Sequence, residues 1–127
     1  MNVLIKTKSI YEPIESDDGV RILITRYYPR GVKRDNFDIW LRSLSPSPEL
    51  LKGYKKGVES WEDFEIHFAR EINNNSESSK SLDDILALSR ESNVTLLCYE
   101  KKGLNCHRYL VKDMVNGHVI SFNSSYA

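Results

Sequence analysis

The sequence predicts an α/β domain, a mostly parallel sheet of about four strands flanked by helices. Two runs, Ile22-Leu23-Ile24 and Val94-Thr-Leu-Leu-Cys98, are almost continuously apolar and rich in branched side chains, the pattern of strands covered on both faces. Between them lie segments whose apolar residues recur every three or four positions, as on one face of a helix. The order is strand, strand, a block of helices, strand, helix, strand, and parallel strands need long crossovers of this kind. A chain of 127 residues is the size of one domain, here 1–127.

Val3, Leu4 and Ile5, ahead of Lys6-Thr7-Lys8, suit a first short strand. Tyr11 to Gly19 is loop, because Pro13 restricts Glu12 and Asp18-Gly19 is a turn dipeptide. Val20–Arg26 reads as a strand that must stop before Pro29, which has no N–H for a ladder. Asn36–Leu41 reads as a helical turn presenting Phe37 and Trp40. Ser47 as N-cap, Pro48 as first helical residue and Glu49 in the first turn open a short helix that ends by Gly57. Ser60 caps the next, with Trp61, Phe64, Phe68 and Ile72 in one stripe. Asn73–Ser79 reads as a flexible polar loop, after which Ser81 caps a helix with Leu82, Ile85, Leu86 and Ser89 on one face. Val94–Tyr99 is a buried strand, and Glu100–Leu104 a loop. Asn105 caps a helix running to about Val115, where Asn116-Gly117 stops it. Residues 116–127 then form a last strand at His118–Phe122 and a frayed tail.

Lysine plus arginine and aspartate plus glutamate number 18 each, so the formal net charge is zero. This excludes the uniformly basic nucleic-acid binder and the acidic disordered chain. The balance is uneven, since residues 1–56 hold 11 basic groups against 7 acidic ones and residues 57–93 hold 3 against 9. No apolar run is long enough for a bilayer, so no membrane association is expected. The start, Met1 to Lys6, lacks the features of a secretory signal. Two cysteines make no disulfide framework, and a reducing, cytoplasmic location is the expectation.

Chemistry is expected where the chain leaves its two buried strands, since ligands of open α/β sheets bind beyond the carboxyl ends of the strands. One exit is Arg26-Tyr-Tyr-Pro-Arg-Gly31; the other runs from Glu100 to Arg108 and opens a helix at Asn105-Cys106-His107-Arg108. A helix N-terminus favours an anion and lowers a thiol pKa, so Cys106 reads as an activated thiolate. His107 then reads as a base or proton donor and Glu100 as a second acid–base group. Arg26, Arg30 and Arg108 would clamp a phosphate or carboxylate with Asn105 beside them, and Tyr27 or Tyr28 would stack on a ring. The plainer alternatives are a cysteine and histidine packed in the core, and arginines paired with acidic loops such as Asp17-Asp18.

Cys98 and Cys106 are eight positions apart and the histidines are scattered at 67, 107 and 118, so no metal site is expected. No glycine-rich phosphate loop and no Gly-x-Ser-x-Gly elbow is present, and no cofactor is expected.

The stretch from Ser16 to Lys33, with its Arg-Tyr-Tyr-Pro-Arg-Gly core, resembles the DUF488 family (domain of unknown function 488), including its YeaO-like branch. Trp40, Ser45-Pro-Ser-Pro-Glu-Leu50, Phe64–Glu71, Val94–Cys98 and Asn105-Cys-His-Arg108 follow the same course, to about residue 115. Tyr28 stands where that branch has tryptophan. Cys106-His107-Arg108 matches the family's other branch, where the YeaO-like one usually has Asn-His. The resemblance implies an α/β fold with a small parallel sheet, carries no activity with it, and favours His107 and the arginines over Cys106. The functional expectation is binding, with or without catalysis, of a small anionic, phosphate- or nucleotide-like ligand at the sheet's C-terminal edge. The alternative is a non-catalytic module that binds nucleic acid or protein through the basic surface of residues 21–56.

Overall fold

The computed structural model describes residues 5–101 and 103–124, with side chains up to residue 117. Four strands, β1 (Ile5–Ser9), β2 (Val20–Leu23), β3 (Ile39–Trp40) and β4 (Val94–Cys98), form one sheet in the order β1-β4-β2-β3. Every pairing is parallel: Ile5 to Ser9 lie opposite Val94 to Cys98, Val20 to Leu23 opposite Val94 to Leu97, and Ile22-Leu23 opposite Ile39-Trp40. The helices are α1 (Pro48–Lys55), α2 (Trp61–Asn73), α3 (Ser76–Ser89) and α4 (His107–Ser124). The expected α/β domain with a small parallel sheet is what the chain forms. Among the described residues no helix is long and apolar enough to cross a membrane. The expected residues Val3 and Leu4 of the first strand, and the tail beyond Ser124, lie outside the described residues.

Alternation along the strands splits the core in two. Ile22, Val94 and Leu96 face one way and pack with Leu50, Phe64, Phe68, Ile72, Leu82, Ile85, Val111 and Val115, so all four helices cover that face. Leu23 and Leu97 face the other way, under Ile10, Val32 and Phe37 from the connecting loops, with Trp40 against them. Both faces are covered, one by helices and one by loops.

Ser47 and Ser60 cap α1 and α2 as their positions predict, accepting from Leu50 N–H and Asp63 N–H at 3.1 Å each. Four expectations need correction. β2 ends at Leu23, because Trp40 Nε1 takes the Thr25 carbonyl at 2.7 Å. The segment read as a helical turn holds a short 3-10 turn at Arg34–Asn36 and then β3, because Asp38 N–H donates to Arg21 O and Asp38 Oδ2 accepts from Arg21 N–H, both at 2.8 Å. The polar tract at 73–79 is not a loop throughout: α3 starts at Ser76 with Asn75 as its cap, and Ser78 and Ser81 are buried where they bond Ser43 O and Ser43 Oγ. The last predicted strand is helix, since α4 runs through Asn116-Gly117 with Val111 and Val115 buried and Gly117 not at positive φ.

The loop face hides charge. Asp18, with its side chain 1% exposed, receives Lys6 Nζ at 2.8 Å, Lys8 Nζ at 3.1 Å and Arg21 Nη1. Its carbonyl accepts from Thr95 Oγ1 at 2.7 Å, so one loop residue ties together β1, β4 and β2. Gly19 follows at φ +65°, and a Cβ there would lie 2.0 Å from Asn93 O, so no other residue fits the turn.

Burial alone would raise the Asp18 carboxyl, but the bonds from Lys6, Glu15 N–H, Lys8 and Arg21 outweigh it and hold it well below the usual carboxylate range. The stability it contributes is therefore full above about pH 4 and is lost as pH falls toward its folded value. Asp18→Asn is expected to cost about 3–5 kcal/mol in urea unfolding at pH 7, because it leaves Arg21 buried without its counter-ion and Lys8 with Glu15 alone. The gap between variant and wild type should narrow below pH 4; a gap that stays constant on acidification contradicts the assignment.

Candidate functional site

Because β2 and β4 are parallel neighbours, the exits from both strands lie on one edge of the sheet, as the site expectation required. The side chains there divide into two groups.

The first surrounds the end of β4. Arg108 is 1% exposed and its guanidinium organises the loop that follows the strand. Nη1 donates to Glu100 O at 2.8 Å and to Cys98 Sγ at 3.2 Å, and Nη2 donates to Lys101 O and Tyr109 Oη at 3.1 Å each. Its Nε has no partner, and among the described residues no carboxylate pairs with it. The chain folded around this cation brings the start of α4 back to the end of β4, and Cys106 is disulfide-bonded to Cys98. That corrects the reading of two unrelated thiols: the sulfur assigned as a nucleophile is bonded, and no cysteine is free. Cys98 is the residue the sequence reading missed here; the only available signal was its position as the last residue of the buried strand.

His107 begins α4, and Asn105 is not its cap; Asn105 is exposed and donates to Tyr54 Oη at 3.3 Å. His107 Nε2 lies 2.6 Å from the Ile24 carbonyl, joining α4 to the end of β2, and the ring sits edge-on to Phe68. Nδ1 lies 3.8 Å from Cys106 Sγ. Burial pushes the imidazole down to about 4, with the Arg108 charge acting the same way and the bond to Ile24 O opposing it. A carbonyl accepts only from N–H, so His107 is the neutral Nε2–H tautomer at neutral pH. It is no proton donor of the imidazolium kind. Glu100 is half-buried with Oε1 3.6 Å from Cys98 Sγ.

The second group lines a cavity of about 590 Å³ beyond the ends of β2 and β3. Its walls include Arg26 from the β2 exit, Arg42, Ser43, Ser45 and Ser47 from the β3 exit, and Glu71 at the end of α2; Asn75 and Ser78 open α3 beside it. Arg26 is half-buried and donates through Nε to Pro46 O at 2.7 Å, while Arg42 donates through Nε to Arg26 O at 3.0 Å and lies over the Trp40 ring. The terminal nitrogens of both guanidinia have no protein partner among the described residues. Glu71 is engaged, accepting from Ser47 N–H at 3.0 Å and from Ser47 Oγ.

The structure therefore brings Cys106, His107, Arg108 and Glu100 together around Cys98 and puts Arg26 with Arg42, but it does not bring Arg26, Arg30 and Arg108 to one pocket. Arg30 is exposed. Tyr28 donates to Val32 O at 2.6 Å and packs edge-on against Phe37 and Trp40, while Tyr27 is 58% exposed. Arg42 and the serines were missed as a site because Ser45-Pro-Ser-Pro48 read as a connection; the density of hydroxyls beside an arginine was the signal.

The low His107 value fixes a window. The unfolded group binds a proton near 6.5 and the folded one near 4, so stability is full above pH 6.5 and falls as pH drops from 6.5 toward 4, by about 3 kcal/mol in all. Ring 15N shifts should report the neutral Nε2–H form of His107 from pH 8 down to 5. An imidazolium signal at pH 6 would contradict the burial and the bond to Ile24 O.

Over residues 5–118 the chain matches the family described as Active DUF488-N3 subclade. It is 32% identical over 111 residues to the uncharacterized protein YeaO of Escherichia coli (strain K12), covering 86% of this chain and 94% of that protein. To the uncharacterized protein Rv3073c of Mycobacterium tuberculosis (strain ATCC 25618 / H37Rv) it is 27% identical over 115 residues, covering 89% and 94%. No solved structure matches the chain significantly. The chain belongs to the DUF488 family, within its Active DUF488-N3 subclade.

Proposed function

We propose that the protein binds a small anionic ligand, bearing a phosphate or carboxylate, in the cavity beyond the ends of β2 and β3. One observation supports this above the others: among the described residues, two guanidinia at one polar cavity each use only Nε on the protein and keep their terminal N–H groups for a guest. The first turn of α3 supplies further backbone donors, whereas the hydroxyls of Ser45, Ser47 and Ser78 already donate to Arg42 O, Glu71 and Ser43 O. Glu71 is already held by Ser47, and Glu77 stands exposed at the rim, which favours a small anion over a long polyanion. Arg26 is retained from the sequence expectation, and Arg42 takes the place of Arg30 and Arg108. The cytoplasmic location is part of this proposal, as is Tyr27 as the stacking face for a ring-bearing ligand.

The alternative, a nucleic-acid or protein surface over residues 21–56, loses Arg21 to the Asp18 knot. It keeps Arg30, Lys33, Arg34 and Tyr27, all exposed.

Inorganic phosphate and nucleoside monophosphates are expected to raise the Tm of the wild type. Calorimetry should show at least ~10-fold weaker binding in Arg26→Gln and in Arg42→Gln, since a hydrogen bond to a charged group contributes about 1.5–3 kcal/mol. Arg30→Gln should bind as the wild type does. Unchanged affinity in a folded double variant overturns the proposal. Single-stranded nucleic acid bound with a steep loss between low and physiological salt favours the alternative.

A further inference from the structure

We propose that Cys98 and Cys106 form a thiol–disulfide exchange centre that takes a small dithiol as its reducing partner, with Cys98 as the sulfur that becomes a thiolate facing Arg108. This site is separate from the anion cavity and does not rest on it.

Arg108 is the centre of the site. A guanidinium 1% exposed, with no carboxylate paired to it among the described residues, is an uncompensated buried charge. Its neighbours are two carbonyls, a phenol and the Cys98 sulfur at 3.2 Å. Of these the Cys98 sulfur is the closest group that gains a full negative charge when the disulfide opens. The reduced state therefore supplies the counter-ion that the oxidised state lacks, and a disulfide whose reduced form is stabilised is an oxidising one. Glu100 opposes this charge from 3.6 Å. It is half-buried, so water screens it, whereas Arg108 is closer and enclosed.

The two sulfurs are not equivalent. Both are buried, Cys98 at 0% and Cys106 at 3% exposure, and the less enclosed Cys106 is assigned as the sulfur an external thiolate attacks. In the exchange one thiolate of the dithiol attacks Cys106 Sγ and forms a mixed disulfide. The electron pair of the broken S–S bond goes to Cys98 Sγ beside Arg108. The second thiol of the reductant then attacks the mixed disulfide, closes its own disulfide and leaves Cys106 with a proton. The balance is one protein disulfide plus one dithiol giving a Cys98 thiolate, a Cys106 thiol, one external disulfide and one proton. His107, neutral with Nε2–H held by Ile24 O, turns an unprotonated Nδ1 toward Cys106 and accepts from its S–H.

Cys98, Cys106 and His107 also satisfy the proximity expected of metal ligands, and His107 has the backbone-bonded far nitrogen that ligating histidines usually show. Arg108 in contact with one of the sulfurs places a positive charge where a cation would sit, which favours the redox assignment.

The test uses the full chain. Oxidised protein should be reduced by dithiothreitol and equilibrate in a glutathione redox buffer, read by intrinsic fluorescence and by alkylation of both cysteines. In Cys106→Ser, absorbance of the remaining Cys98 at 240 nm against pH should show it ionised well below the ordinary thiol value of ~8.5. Arg108→Gln, where it folds, should make the disulfide at least ~10-fold harder to reduce. A Cys98 that titrates near 8.5 or higher in Cys106→Ser overturns the proposal whether or not Arg108→Gln folds. Stoichiometric zinc retained by the reduced wild type, measured with zinc alone, also overturns it, in favour of a metal site. A disulfide that resists dithiothreitol in the native protein does the same.

Discussion

β4 has a parallel neighbour on either side, and the rest of the molecule follows from that pairing. Its five residues are buried from Val94 to Cys98, so it cannot be an edge strand; β1 and β2 each satisfy one side of its backbone. Parallel pairing puts the carboxyl ends of β1, β2 and β4 at the same end of the sheet. It also sends each connection back across a face, helices over one and loops over the other. Both chemically interesting groups of residues lie at that common end because the topology leaves the connecting segments nowhere else to begin.

Zero net charge takes a specific meaning in this fold. Two of the arginines serve the interior: Arg21 shares the buried carboxylate of Asp18 with two lysines, and Arg108 holds the carbonyls of the β4 exit loop. Arg26 and Arg42 are turned to the cavity with their terminal nitrogens unengaged by protein among the described residues. Charge is thus partitioned among a structural knot, a buried cation beside sulfur, and a pocket. The sum over the chain hides all three. The disulfide and the cavity are joined through backbone contacts, since His107 bonds Ile24 O and Arg42 bonds Arg26 O, two residues apart on the same exit from β2.

Local pattern made much of the fold legible. β4, the first part of β2, the stripe of α2 and the caps at Ser47 and Ser60 rest on near-neighbour chemistry and appear where the sequence puts them. The features that were not legible depend on partners far along the chain. Asp38 leads into the edge strand β3 because Arg21, 17 positions earlier, offers its backbone. Ser78 and Ser81 are helical and buried because Ser43, 35 and 38 positions earlier, accepts and shares their hydroxyls. Asn116-Gly117 stays helical because Val111 and Val115 are already anchored in the core. At the site, residue types were readable at each strand exit, and the family motif marked the same positions. That Cys98 meets Cys106 is fixed by the loop wrapped around Arg108, and that Arg26 shares a pocket with Arg42 by their bonds to Pro46 O and Arg26 O; neither arrangement leaves a periodic trace.

The claim that this sheet edge is a ligand site is tested most directly by titrating uniformly 15N-labelled protein with inorganic phosphate and following backbone amides. The account predicts saturable shifts concentrated at Ser43, Ser45, Ser47, Asn75 and Ser78, with the amides of the Asp18 knot unmoved. Shifts spread evenly over the exposed basic residues Arg30, Lys33 and Arg34, or none at all, would contradict it.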